Sequence, residues 1–180
     1  VKFEPAGIEG AWVLPLDPHE DERGFFARLW SDAEFGERGL NRNLAQCSLS
    51  YNRLAGTIRG LHYQAAPAEE AKIVRCVRGA VYDVLVDLRP SSATYMHWIS
   101  RELTGDNRDA LYVPEGVAHG YQTLTDSTEL LYLISTPYTP SLARGIRWND
   151  RAFNIEWPLA PGLISERDRT YPAFGSRLDS

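Results

Sequence analysis

The stretch KIVRCVRGAVYDVLVDLR, residues 72–89, decides the reading of the fold. Val81, Asp83, Leu85 and Asp87 fall on one face of an extended chain, and Tyr82, Val84, Val86 and Leu88 on the other. The break at Arg78-Gly79 reads as a hairpin turn. ELLYLISTPY (129–138) is a second apolar strand, closed by Pro137, and MHWISREL and ALYVP are further candidates. Helix signals are few. SDAEFGERG (31–39) opens with an N-cap serine and an acidic first turn, and Gly39 is placed to end it. Many short strands with Gly/Pro turns predict an all-β sandwich or jelly roll. Periodicity alone does not separate the two.

The 180 residues suit one domain, 1–180, with a substantial core. Hydrophobic residues make up 43% and charged residues 24%, as in ordinary globular chains. A net charge of −5 argues against general nucleic-acid binding, which needs a basic face. A few local arginines still suffice for a small anion. Cys47 and Cys76 form no CxxC and read as free thiols in a reducing compartment. No apolar run reaches signal-peptide or membrane-span length, so a cytoplasmic location with no membrane partner is expected.

GTIRGLHYQ (56–64) raises the functional question. Arg59 and His62 are three apart, so in a regular strand they point to opposite faces. A bulge near Gly60 would bring them to one site. Other polar residues sit in β-like or turn segments: Lys72 opening an apolar strand, His119 in VPEGVAHGYQ, and Tyr132 inside ELLYLIS. Tyr132 shares a face with Thr128, Leu130 and Ile134. A buried lysine needs a partner or a function. The four histidines, His19, His62, His97 and His119, are scattered, and HYQ is not the HxH that a metal-binding jelly roll uses, so neither a metal nor a cofactor is expected. There is no GxSxG elbow and no Gly-rich phosphate loop. What is left is a site of bases, acids and arginines.

DERGFFARLW, GTIRGLHYQ, AKIVRCVRGAVYDVLVDLRPSSATY, YVPEGVAHGYQTL, GIRWND and WPLAPGLISERD run in order from about residue 21 to 168. Together they resemble the dTDP-4-dehydrorhamnose 3,5-epimerase family. The resemblance implies a cupin-type jelly roll, a metal-free homodimer, and epimerisation of a nucleotide-linked 4-keto-6-deoxyhexose. It implies His62 as base, oriented by Asp168, with Lys72 at the ketone oxygen and Tyr132 as acid across the sugar. His119 would lie near the sugar, and Arg59, Arg23 and Arg167 at the diphosphate. Gln46 and Tyr138 match ligand-contacting positions, and Phe26 one that reaches the neighbouring subunit's nucleotide.

Departures from the family pattern fall mostly in the nucleotide region. Ser48 stands where asparagine is common, and Arg28 and Ala143 stand where glutamate is frequent. A glutamate accepts a hydrogen bond from the thymine imide, whereas an arginine only donates. Arg28 therefore also suits a CDP-sugar. Other readings are a single-site 3- or 5-epimerase on a dTDP-, CDP- or GDP-linked sugar, a silent nucleotide-sugar binder, and a metal-dependent oxygenase of the same fold.

Overall fold

The computed structural model describes residues 1–175. In chain order the elements are β1 (Glu4–Pro5), β2 (Trp12–Leu14), β3 (Pro18–Asp21), β4 (Gly24–Ala27), α1 (Asp32–Glu37), β5 (Gln46–Asn52), β6 (Ile58–Gln64), β7 (Lys72–Arg78), β8 (Ala80–Asp87), β9 (Trp98–Thr104), β10 (Ala110–Val113), β11 (Val117–Thr123), β12 (Thr128–Ile134), β13 (Ala143–Gly145) and α2 (Glu166–Thr170). One sheet runs β1-β2-β10-β7-β12-β5 and the other β13-β6-β11-β8-β9; β3 and β4 form a separate hairpin. Every ladder between these strands is antiparallel. Val74, Cys76, Leu111 and Leu130 of the first sheet pack against Val81, Leu85, Leu103 and Tyr121 of the second. The arrangement is the expected cupin-type jelly roll.

The expected hairpin at Arg78-Gly79 is not there. β7 lies between β10 and β12 in one sheet, and β8 between β11 and β9 in the other. The chain crosses between sheets at Gly79, whose φ is 77°. A Cβ there would sit 2.5 Å from Thr128 Oγ1, so both conformation and space require glycine. The alternation within β8 misleads because both of its faces are covered. Val81 and Leu85 enter the core between the sheets, while Val84 and Val86 lie under Ile146, Phe153 and neighbouring residues of the C-terminal segment. On the far side of the first sheet, α1 closes a third cluster through Phe35, packed with Leu14, Ile73 and Tyr112. Ser31 caps this helix by accepting from Glu34 N. Gly39 N–H donates to Gly36 O and Leu40 N–H to Phe35 O, each at 3.0 Å, which ends the helix as expected. Cys47 is exposed and Cys76 buried, both unpaired; burial pushes the Cys76 thiol up to about 11. Among the described residues no helix is long and apolar enough to cross a membrane.

Asp87 ends β8 with its carboxylate inside. It accepts from Arg89 Nε at 2.8 Å, Thr94 Oγ1 at 2.7 Å and the Arg89 N–H at 3.0 Å, and from Ser92 Oγ. Burial alone would push this carboxyl up, but the bonds from Arg89, Ser92 and Thr94 outweigh it and hold it well below the carboxylate range. With the folded-state pKa below the unfolded one, the stabilisation is present above about pH 4 and is lost as pH falls. Asp87→Asn is expected to lower unfolding stability at neutral pH by roughly 1–3 kcal/mol. It should also flatten the acid limb of the stability curve. Denaturant titrations at pH 7 and pH 2 check both, and equal loss at the two pH values would contradict the assignment.

Candidate active site

The site begins at a defect in β6. His62 stands opposite His119 of β11, and Arg59 opposite Tyr121, so Gly60 and Leu61 together face the single residue Gly120. This is the bulge the Arg-Gly-Leu-His spacing called for. Gly60 has φ 120°, and a Cβ on it would lie 2.5 Å from Gly120 Cα and 2.9 Å from His119 O. Leu61 turns outward into the cluster with Val84 and Phe153. Arg59 and His62 are thereby both presented to one open cavity of about 300 Å³.

The partner of His62 comes from the far end of the chain. Ile58 N–H donates to Leu163 O at 2.9 Å, and Ile58 bridges Ile164, which ties this segment to β6. Ser165 then caps α2 by accepting from Asp168 N at 3.1 Å. Asp168, 3% exposed, reaches His62 Nε2 at 2.7 Å, and its other oxygen accepts from Gly60 N at 3.2 Å. Burial raises the Asp168 pKa, but the bonds from His62, Gly60 and Ser165 outweigh it and leave it below its ordinary value. The carboxylate is thus ionised beside the imidazole.

The first sheet supplies the opposite wall. Tyr132 of β12 stands in register with Val74 of β7 and Ser48 of β5. Burial, with Tyr121 and Asp83 close by, pushes the Tyr132 hydroxyl well above its ordinary value, so it keeps its proton. Lys72 Nζ lies 2.7 Å from Glu70 Oε1 and 3.4 Å from His62 O. His119 Nε2 is 2.9 Å from both oxygens of Asp83, a carboxylate that burial pushes up and His119 and Lys72 pull down, with burial winning. At the mouth, Arg59 Nε donates to Asn52 Oδ1 at 2.8 Å, Arg167 Nη1 to Tyr138 OH at 3.3 Å, and Tyr138 N–H to Gln46 Oε1 at 2.9 Å. Arg59, Lys72, Arg144 and Arg167 line the cavity against one acidic side chain, Glu70. Such a cavity suits an anion at its mouth and proton transfer at a carbon beside a carbonyl further in. Among the described residues no three His, Cys, Asp or Glu side chains converge as a metal-ligand group.

Comparison with known proteins gives a consistent answer. The family model for dTDP-4-dehydrorhamnose 3,5-epimerase matches residues 5–176. The chain belongs to this family. A Sinorhizobium fredii protein named dTDP-4-dehydrorhamnose 3,5-epimerase is 40% identical over 173 residues, covering 96% of this chain and 89% of its own. A Streptomyces niveus protein named dTDP-4-dehydrorhamnose 3-epimerase is 39% identical over 170 residues, covering 94% and 82%. The crystal structure of the Bacillus anthracis 3,5-epimerase, with TDP and pyrophosphate bound, superposes with a TM-score of 0.91 at 35% identity, covering 96% of this chain and 98% of that one.

Within this epimerase scaffold, ten of the thirteen residues singled out in the sequence are drawn together. His62, Lys72, Tyr132, His119, Arg59, Gln46, Ser48, Tyr138 and Arg167 line the cavity, and Asp168 stands behind His62. Arg23, Phe26 and Arg28 do not line it. They lie in or beside the β3–β4 hairpin, where Phe26 is 74% exposed and Arg28 Nη1 lies 3.4 Å from Glu34. Asp83, Glu70, Tyr121 and Arg144 were missed by sequence reasoning. Asp83 gave a signal, since a carboxylate sharing an apolar face with Val81 and Leu85 needs a partner. Glu70 stands two residues before a lysine that needed one. Of the family departures, Ser48 and Ala143 line the cavity.

Gly60→Ala is expected to disrupt the site at its origin. The added methyl meets backbone, which yields less readily than a side chain, and a positive φ adds strain of about 1–3 kcal/mol. The variant should lose both stability in urea and any His62-dependent chemistry. Retention of both would mean that the bulge tolerates a side chain.

Proposed function

We propose that the chain epimerises dTDP-4-dehydro-6-deoxy-D-glucose to dTDP-4-dehydro-L-rhamnose. One observation carries the reading. His62, backed by Asp168 of α2, stands on one sheet and the protonated Tyr132 on the facing sheet, across a single cavity. Carbons 3 and 5 of the sugar flank the carbon 4 ketone, which acidifies their protons. His62 takes such a proton, and Asp168 holds the imidazole and steadies its charged form. The electron pair moves to the ketone oxygen, where Lys72 stabilises the enolate. Tyr132 returns a proton to the opposite face, and configuration inverts. His119 contacts the sugar, and Arg59 and Arg167 hold the diphosphate, whose oxygens match the planar guanidinium fork. Gln46, Ser48 and Tyr138 complete the ligand contacts.

Arg23, Phe26 and Arg28 act on the neighbouring subunit of a homodimer. That none of the three lines the cavity of its own chain supports this, as does the 74% exposure of Phe26. Mixing His62→Ala with Arg23→Ala subunits is the test. In the trans arrangement a mixed dimer has one intact cavity, so activity returns; in the cis arrangement none is intact and activity stays lost. Sedimentation should give twice the chain mass.

The name of the Streptomyces niveus relative favours a second reading, inversion at carbon 3 alone. Proton NMR in deuterated water separates the two. With dTDP-4-keto-6-deoxyglucose, loss of both the carbon 3 and carbon 5 signals and a rhamnose-configured product are expected; loss of one signal means a single-site enzyme. Exchange with the CDP-linked sugar only would shift the nucleotide assignment to Arg28. No exchange with either overturns the proposal in favour of a silent binder. His62→Ala should slow exchange about 10²–10⁴-fold, and Tyr132→Phe should slow product formation more than exchange.

A further inference from the structure

Lys72 opens β7 with its side chain 8% exposed, and Glu70, two residues earlier, has its own 10% exposed. An ammonium group has three N–H donors. Glu70 Oε1 lies 2.7 Å from Nζ, and His62 O lies 3.4 Å away and accepts from it. These two acceptors come from different places: the loop before β7 and the backbone of β6, the strand that carries the base. Two of the three donors are taken on the protein side. The third is left for the cavity, which both side chains line. A free lysine has four rotatable side-chain bonds and keeps no fixed direction. This one is held at two points.

We propose that Glu70 is the positioning residue of the site: it fixes the Lys72 ammonium beside the His62 strand so that its remaining N–H meets the oxygen of the enolate. The inference rests on the reading of Lys72 given above. Glu70 does not touch the reacting carbons in this account and acts only through Lys72. Its negative charge offsets part of the pull that the ammonium exerts on the developing oxyanion. Position decides the balance, because a donor helps only at hydrogen-bond distance from the oxyanion, and a displacement near 1 Å costs about a hundredfold.

The test is a double-mutant cycle on the full chain, read by carbon-bound proton exchange in deuterated water with the dTDP-keto sugar, together with dTDP affinity and melting temperature. Lys72→Met alone should slow exchange about 10²–10³-fold. Glu70→Ala should slow it about 10–100-fold, with dTDP affinity unchanged. Glu70→Gln keeps an acceptor oxygen at the same reach and should recover most of that loss. In the Lys72→Met background, Glu70→Ala should add nothing further. Independent addition of the two effects overturns the inference, because Glu70 would then act by another route. So does a glutamine variant as slow as the alanine one, or a Glu70→Ala loss that appears as weaker dTDP binding, the mark of a merely structural loop residue. Unchanged exchange in Lys72→Met would instead overturn the role given to Lys72 itself, so the two failures are distinguishable.

Discussion

The site depends on one close approach, that of the Gly60 backbone to Gly120 on the neighbouring strand. No side chain fits between them, since a Cβ on Gly60 would come within 2.5 Å of Gly120 Cα and one on Gly120 within 2.7 Å of Arg59 O. The approach lets β6 carry one more residue than β11 opposite it. Leu61 is sent outward to the apolar cluster, and His62 returns to the cavity side with Arg59. The same glycine gives its N–H to Asp168. A single backbone irregularity thus places the imidazole, frees an arginine for the same cavity and fixes the carboxylate behind the ring.

Around that point each basic group deep in the cavity is backed by a carboxylate: His62 by Asp168, His119 by Asp83 and Lys72 by Glu70. Polar groups removed from water are costly unless they are hydrogen-bonded. Backing them from the protein side meets that cost and leaves the opposite side of each group toward the cavity. The sandwich supplies the rest. Strands β6 and β12 belong to different sheets, so His62 and Tyr132 confront each other across the interior rather than side by side. A flat ring between them has an imidazole on one face and a phenol on the other.

β6, β7, β8, β9, β10 and β12 were legible in the sequence because apolar runs are local signals, whereas β2 and β5 were not singled out. The same holds for α1, whose cap and stop are both local. Which sheet each strand joins was not legible. β8 is covered on both faces, so its pattern carries no record of its partners, and Gly79 reads alike as a hairpin turn or as a crossing. The bulge was foreseeable from Arg59, Gly60 and His62 together. The His62–Asp168 contact, 106 residues apart, was reachable only through family resemblance. Asp83 could have been found from its polar place on an apolar face. That the β3–β4 hairpin does not line its own chain's cavity has no counterpart in residue pattern.

The division of the cavity into two ends has a consequence for specificity. His62, Tyr132 and Lys72 are borne by strands at the centre of the two sheets or next to it, which are held by ladders on both sides. Arg59 and Arg167 lie at the mouth, bonded to Asn52 and Tyr138, and the small residues Ser48 and Ala143 line the cavity. In the proposed function, a nucleotide gripped at the mouth would set the depth and tilt of its sugar as a lever does. Smaller residues at positions 48 and 143 leave room to change that tilt without moving His62. Because proton transfer is sensitive to displacements near 1 Å, selection among carbon 3, carbon 5 or both belongs to the residues that seat the sugar. The same dyad is compatible with every outcome.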